Sequence, residues 1–173
     1  MAHFDATSRD VIEMILMRLE PRDLWSMYRI NNKRLVAICN DIEFRKRYIK
    51  AVGNLNSCPQ LLLLWFDALI DMGWQIRDED VYKAAADGRI GLVHKMLMYV
   101  TPDYDKLLRK ATFNAQRQNK LPLIDYLLEN TPADPSHLDN QIIRWCARHG
   151  EIALVNRLRQ DDRVLKRSKN NGV

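Results

Sequence analysis

The sequence predicts an all-α protein in which a small non-repeating helical bundle is followed by a short array of stacked helical repeats. The second half of the 173-residue chain repeats at intervals of 31 residues, as the positions Gly88, Asn119 and Gly150 show. A fixed period between about 20 and 50 residues is typical of proteins whose units bury their apolar faces against their neighbours. The first fifty residues carry apolar side chains at helical spacing, and Gly and Pro are scarce, with six of each.

The first fifty residues have no counterpart in the repeat and predict three or four short helices. Thr7 and Ser8 are candidate N-caps of the first helix, and Pro21 ends that helix because its ring cannot continue the turn. A second helix begins at Asp23, and Asn40-Asp41 caps a fourth. A bundle of this size buries little apolar surface alone, so it needs support from the repeats or from a partner. The apolar face of the first helix consists of Val11, Ile12, Ile15, Leu16 and Leu19.

Each repeat unit is expected to contain two short antiparallel helices joined by a turn. The turns are predicted at Gly88, Asn119 and Gly150, residue types that tolerate a positive φ. Pro122 is expected in the first turn of an outer helix, where a missing N–H costs nothing. A partial unit over residues 59–73 is expected to precede the three full units. The recurring positions are Ile76/Leu107/Leu138, Ala84/Ala115/Cys146, Ile90/Leu121/Ile152, Leu92/Leu123/Leu154, Val93/Ile124/Val155 and Met96/Leu127/Leu158.

This array resembles the ankyrin repeat, most clearly in AADGRIGLVHKML (85–97) and CARHGEIALVNRL (146–158), and more loosely in AQRQNKLPLIDYLL (115–128). The units are shorter than the family's length of about 33 residues and lack its T-P-L-H opening. The resemblance implies that residues 51–162 form three 31-residue units plus a partial first unit, with a concave surface for a target protein. The implied target-binding residues are Lys83, Asp87, Asn114, Arg117, Trp145, Arg148 and His149.

Trp145 has two interpretations within this array. If it is exposed on the concave side, it is a natural anchor for a partner, because Trp is enriched among the residues that dominate binding energy. Alternatively, it shields the last repeat interface. Trp65 and Trp74 are expected to serve core and loop packing.

In the first fifty residues, an apolar helix is followed by Pro21-Arg-Asp-Leu24, by Asn32-Lys33-Arg34 and by Ile38-Cys-Asn-Asp41. This order of residues is similar to an F-box. The resemblance covers residues 7–49 and implies an F-box-like domain over residues 1–50. In that family, the motif binds the Skp adaptor subunit of cullin-based (SCF) ubiquitin ligases, and the rest of the chain recruits a substrate. The resemblance therefore implies a Skp-type partner and an unidentified target protein. The implied adaptor-binding residues are Val11, Ile12, Ile15, Leu16, Leu19, Pro21, Asp23, Leu24 and Ile30.

Two functions follow from these resemblances. One is a substrate receptor that links a target protein to the ubiquitin ligase. The other is an ankyrin-type binding or sequestering protein whose F-box-like part is only a structural cap, since Thr7-Ser8 replaces the family's Leu-Pro opening. An F-box paired with ankyrin repeats is common in proteins of large DNA viruses, so a host-interaction factor in the cytoplasm, the host cytoplasm if viral, or in the nucleus is also implied.

The charge distribution raises a third function. The net charge is +5, and residues 157–173 hold six basic and two acidic residues. We expect residues 163–173 to form a basic, flexible tail. Such a tail could contact nucleic acid or an acidic membrane surface. A solvated chain end is expected instead, because no aromatic residues interleave with the charges as in a nucleic-acid platform.

No catalytic, cofactor or metal site is predicted, and no small-molecule substrate is expected. The phosphate-binding glycine motifs and the G-x-S-x-G nucleophile motif are absent from the sequence. The four His residues have no metal-ligand spacing with the three Cys residues, and nothing orients Cys146 and His149 as nucleophile and base. Three widely separated Cys residues predict reduced thiols in an intracellular protein. The most apolar run, Leu61–Phe66, is too short to span a bilayer.

Overall fold

The structure is a computed structural model that describes residues 8–53, 55, 57–114 and 117–170, without the side chains of residues 117–119, 138, 139 and 167–170. Over these residues it consists of thirteen α-helices and no strand, which confirms the predicted all-α fold class. The chain forms two compact units, Met1–Gln75 and Ile76–Val173.

Six helices form the described part of the N-terminal unit, and polar side chains cap three of them. Ser8 Oγ accepts a hydrogen bond from Val11 N (3.4 Å), which confirms one predicted cap, whereas Thr7 lies outside the described residues. The side chains of Asn32 and Asp41 cap the third and fourth helices. The helices are α1 (Arg9–Leu16), α2 (Pro21–Arg29), α3 (Lys33–Asn40), α4 (Ile42–Val52), α5 (Pro59–Leu64) and α6 (Phe66–Asp71).

An aromatic cluster fills the core of this unit. Phe44 and Tyr48 of α4 meet the edge of Trp65 at ring-centroid distances of 6.2 and 5.5 Å, and all three side chains are fully buried. Trp65 is therefore a core residue, as expected, and Trp74 packs edge-on against Phe66 at 5.7 Å. The sequence placed a boundary after residue 50, but these contacts join residues 59–74 to the helices before them. The structure accordingly divides the chain after Gln75.

Seven helices form the described part of the C-terminal unit, and they pair in the way the repeat predicts. The first helix of each pair packs on the first helix of the next pair, so α7, α9 and α11 form one row. Their partners α8, α10 and α12 cover one side of this row. The helices are α7 (Asp78–Ala86), α8 (Ile90–Leu97), α9 (Tyr104–Asn114), α10 (Arg117–Asn130), α11 (His137–Arg148), α12 (Ile152–Arg159) and α13 (Asp162–Asn170).

The 31-residue period predicts most of this unit's core. Leucines at three equivalent positions, Leu92, Leu123 and Leu154, are all buried. The set Met96, Leu127 and Leu158 is buried as well. The position Ile90/Leu121/Ile152 does not follow the prediction, because Ile90 and Ile152 are exposed at the first residue of their helices.

Two of the three predicted turns form. Gly88 and Gly150 adopt φ values of 70° and 68° between paired helices. Asn119 does not, because α10 already begins at Arg117 and continues through it. Asn tolerates a positive φ, as Asn31 shows with 57°, but does not require one, and here the helix continues instead. Pro122 consequently lies inside α10 rather than in its first turn, so that prediction is wrong.

The predicted flexible tail contains a helix. α13 covers residues 162–170, and its Val164 side chain is buried. Arg163 donates hydrogen bonds to Asp161 Oδ2 (2.7 Å) and to the carbonyl oxygen of Ala133 (2.6 Å). These contacts hold the start of the basic segment against the repeats. Among the described residues, no helix combines the length and apolar character needed to cross a membrane.

Candidate protein-binding surfaces

The nine residues implied for adaptor binding lie on two different sides of the N-terminal helices. Leu19, which follows α1, is half-buried and belongs to neither side. Successive residues of a helix are about 100° apart, so a continuous apolar run cannot face one direction. Ile12, Leu16, Pro21 and Leu24 are buried in the core, whereas Val11, Ile15, Asp23 and Ile30 are exposed.

The exposed side of α1 is apolar. Val11, Met14 and Ile15 leave 41, 54 and 42% of their surface accessible, and their i, i+3, i+4 spacing places them side by side. We call these three residues the α1 stripe. Sequence reasoning missed Met14, although the same helical spacing from Val11 identifies it. Ile30, at the C-terminal end of α2, is a further exposed apolar side chain in this unit.

A charged network fixes which side of α1 faces outward. The nearly buried carboxylate of Glu13 accepts hydrogen bonds from Arg9 Nε (2.7 Å) on its own helix and from Arg47 on α4. Arg9 also donates to Asp41 Oδ2 (2.7 Å), the cap of α4. The hydrogen bonds from Arg9 lower the pKa of Glu13 and of Asp41. Both carboxylates therefore stay ionised at neutral pH, and α1 is held with its stripe exposed.

The residues implied for target binding are spread over the C-terminal unit. Lys83, Asp87 and Asn114 are exposed at α7 and α9, and Asp87 pairs with Arg89 at 2.9 Å. Arg148 and His149 are exposed at the end of α11. Arg117 begins α10, but its side chain lies outside the described residues.

Trp145 is half-buried and packed rather than freely exposed. Its ring centroid lies 4.8 Å from that of Phe113 on α9 and 4.0 Å from that of His149, on which it stacks. Lys120 Nζ lies 5.1 Å from the Trp145 ring centroid. Lys120 also forms an ion pair with Glu151 at 3.0 Å. Trp145 thus bridges α9 and α11 while keeping part of its surface accessible.

An open groove of about 250 Å³ runs along α9, on the side of this helix that faces away from the buried core. We call it the α9 groove. Its lining residues recur at i, i+3, i+4, i+7 and i+8, on the face opposite the buried Leu107 and Ala111. Of the residues implied for target binding whose side chains the structure describes, only Asn114 lines it. The lining consists of Lys106, Arg109, Lys110, Phe113 and Asn114.

Metal-ligating groups and cysteine thiols are two kinds of reactive site to consider in this sequence. No group of three or more His, Cys, Asp or Glu residues within the described ranges could hold a metal ion. Burial raises the pKa of the Cys39 and Cys146 thiols to about 11, so both are protonated and weakly nucleophilic at neutral pH. His149 directs its Nδ1 atom to the carbonyl oxygen of Trp145 (2.9 Å).

Comparisons of the chain with protein-family models, curated proteins and solved structures gave no match. The α1 stripe and the α9 groove are therefore the basis for inferring function.

Proposed function

We propose that this chain is a non-catalytic adaptor with an F-box-like N-terminal unit. The N-terminal unit binds a Skp-type subunit of a cullin ubiquitin ligase, and the C-terminal repeats bind a target protein. The observation that carries this proposal is the α1 stripe, an apolar surface held outward by Glu13, Arg9 and Arg47. It coincides with part of the segment that resembles the F-box, including two of the implied adaptor-binding residues, Val11 and Ile15.

The stripe can supply useful binding energy. Complete burial of a Val, Ile or Met side chain contributes about 1.5–3 kcal/mol. Because roughly half of each side chain is already covered, a partner that covers the rest gains about 1 kcal/mol per residue. Three residues then contribute about 3 kcal/mol, which corresponds to roughly a hundredfold in Kd.

The proposed mechanism is tethering. A target held on the repeats and a ligase held on the N-terminal unit share one chain, so the target's effective concentration at the ligase rises without any chemistry by this protein. The division of the chain into two compact units supports the assignment of one partner to each.

A second function is favoured by the buried members of the implied adaptor-binding set, which lie on α1 and α2. Ile12, Leu16, Pro21 and Leu24 contribute to the N-terminal core. This burial supports the alternative in which the F-box-like part is a structural element and the repeats alone bind or sequester a target. Substitutions at Leu16 or Leu24 would damage the fold and cannot separate the two functions.

Exposed positions separate them. The intact protein is titrated with a purified Skp-type adaptor subunit by calorimetry, alongside a Met14→Asp/Ile15→Asp variant. Ile152→Asp, at an exposed apolar residue of the C-terminal unit, is the matched control. The adaptor function predicts binding by the wild type and the control, and binding at least about thirtyfold weaker by the stripe variant, which loses about 2 kcal/mol at two of the three residues. Absence of wild-type binding at micromolar concentrations refutes it and leaves the sequestering function.

A further inference from the structure

The α9 groove combines positive charge with an apolar surface. Among the described residues, five side chains line the groove; three of them are cations, Lys106, Arg109 and Lys110, and none is a carboxylate. Phe113 adds an aromatic side chain, which contacts Trp145 on α11. Such a surface attracts carboxylates by charge and accommodates an apolar side chain beside them.

Two of the cations are available to a ligand. Lys106 is engaged on the α7 side, where its Nζ atom pairs with Glu79 at 3.2 Å and lies 4.2 Å from the centroid of the Tyr82 ring. In the described part of the chain, Arg109 and Lys110 form no ion pair, and Arg109 Nε is shielded from solvent without a hydrogen-bond partner. Although Nε is shielded, the guanidinium of Arg109 has four further N–H donors, which can form charge-assisted hydrogen bonds to a carboxylate ligand.

We infer that the α9 groove binds an acidic peptide segment, with carboxylates at Arg109 and Lys110 and an apolar side chain against Phe113. This inference rests on the proposed target-binding role of the repeats and specifies the chemistry of the target. The groove's volume of about 250 Å³ suits a few side chains rather than a folded domain.

The surroundings favour a peptide over a nucleic acid. A nucleic-acid backbone carries one charge per nucleotide and needs a continuous basic track. Here, the first turn of α7, on one side of the groove, carries the acidic residues Asp78, Glu79 and Asp80. These carboxylates interrupt a continuous basic surface, whereas a short acidic peptide requires only the cations Arg109 and Lys110 and the Phe113 side chain.

The test uses a fluorescent 12-residue peptide rich in Asp and Glu with one central Phe, and a control peptide with Asn and Gln at the acidic positions. Fluorescence anisotropy measures the binding of each peptide to the full chain. Lys110→Glu is compared with Lys33→Glu, which makes the same charge change at an exposed residue of α3. We expect Lys110→Glu to raise the Kd of the acidic peptide at least tenfold, Lys33→Glu to change it less than twofold, and the neutral peptide to bind at least tenfold more weakly.

Equal effects of the two lysine substitutions, or equal binding of the two peptides, would overturn the inference. A single-stranded oligonucleotide that binds more tightly than the acidic peptide and depends on Lys110 would overturn it in favour of a nucleic-acid site. Binding of the Skp-type adaptor is measured on the same preparations. If the adaptor binds and the peptide does not, the inference fails while the adaptor function stands; the opposite result rejects the adaptor function alone. Circular dichroism spectra of all variants establish that they are folded.

Discussion

Replacing two isoleucines on α1 tests the orientation of this helix. Ile12 is fully buried, whereas Ile15, three residues later, leaves 42% of its surface accessible. A buried Ile→Ala substitution typically destabilises a protein by about 2–5 kcal/mol, because it loses transfer free energy and leaves a cavity. We therefore expect Ile12→Ala to lower the free energy of unfolding by at least about 2 kcal/mol, and Ile15→Ala to change it by about 0.5 kcal/mol or less.

Urea unfolding followed by circular dichroism measures both values. The comparison requires that the m-value, the slope of the free energy of unfolding against urea concentration, is the same for the wild type and both variants. The chemical change is identical at the two sites, so the comparison cancels differences in helix propensity. Equal destabilisation would mean that α1 is rotated from its position in the structure. In that case the α1 stripe would not be an exposed surface, and the argument for adaptor binding would fail.

Three further predictions follow from the contacts of both units. Glu13→Gln should lower stability by about 1 kcal/mol, since hydrogen bonds to charged groups are strong but the two arginines are more than half exposed and screened by water. Because the pKa of Glu13 is lowered from 4.5 on folding, its contribution is complete above pH 4.5 and is lost as the pH falls through the folded-state pKa. Urea midpoints of the wild type should therefore fall more steeply than those of the variant below that pH; parallel curves would contradict the network. Gly150→Ala should cost about 1 kcal/mol in thermal unfolding, because φ is 68° and the added Cβ atom meets nothing within 4 Å, so only backbone strain acts. Cys39 and Cys146 should react slowly with iodoacetamide at pH 8 in the folded protein, because burial raises the pKa of both thiols to about 11, and rapidly in urea. Fast labelling of the native protein would show that the two thiols are not buried.

The sequence predicts the repeat core well for a physical reason. Leu92, Leu123 and Leu154 have the same chemistry at the same interval, and stacking requires each to be buried. The turn at Asn119 is predicted from its interval and from the tolerance of Asn for a positive φ. Its interval matches Gly88 and Gly150, but its side chain does not require a turn, and α10 continues through it.

Sequence periodicity does not determine the rotation of α1. Val11, Ile12, Ile15 and Leu16 are all apolar, and together they form a face wider than the core covers. The outward side is selected by Glu13, whose partner Arg47 lies 34 residues away in the chain. No local pattern identifies such a partner, so exposed and buried residues were predicted together as one adaptor-binding set.

The α9 groove was missed for a different reason. Lys106, Arg109 and Lys110 are ordinary residues for the solvated side of a helix, and nothing in their spacing indicates a groove. They become a candidate site only because α9 lies between α7 and α11, where Lys106 contacts Glu79 and Phe113 contacts Trp145.

The location of adaptor binding is the most direct test of the central claim. Hydrogen–deuterium exchange of the intact chain is measured with and without a purified Skp-type adaptor subunit. We predict slower exchange of the amides of α1, Arg9–Leu16, and unchanged exchange in α11, His137–Arg148. Protection confined to the C-terminal unit, or no protection of α1 at a saturating adaptor concentration, would contradict the account.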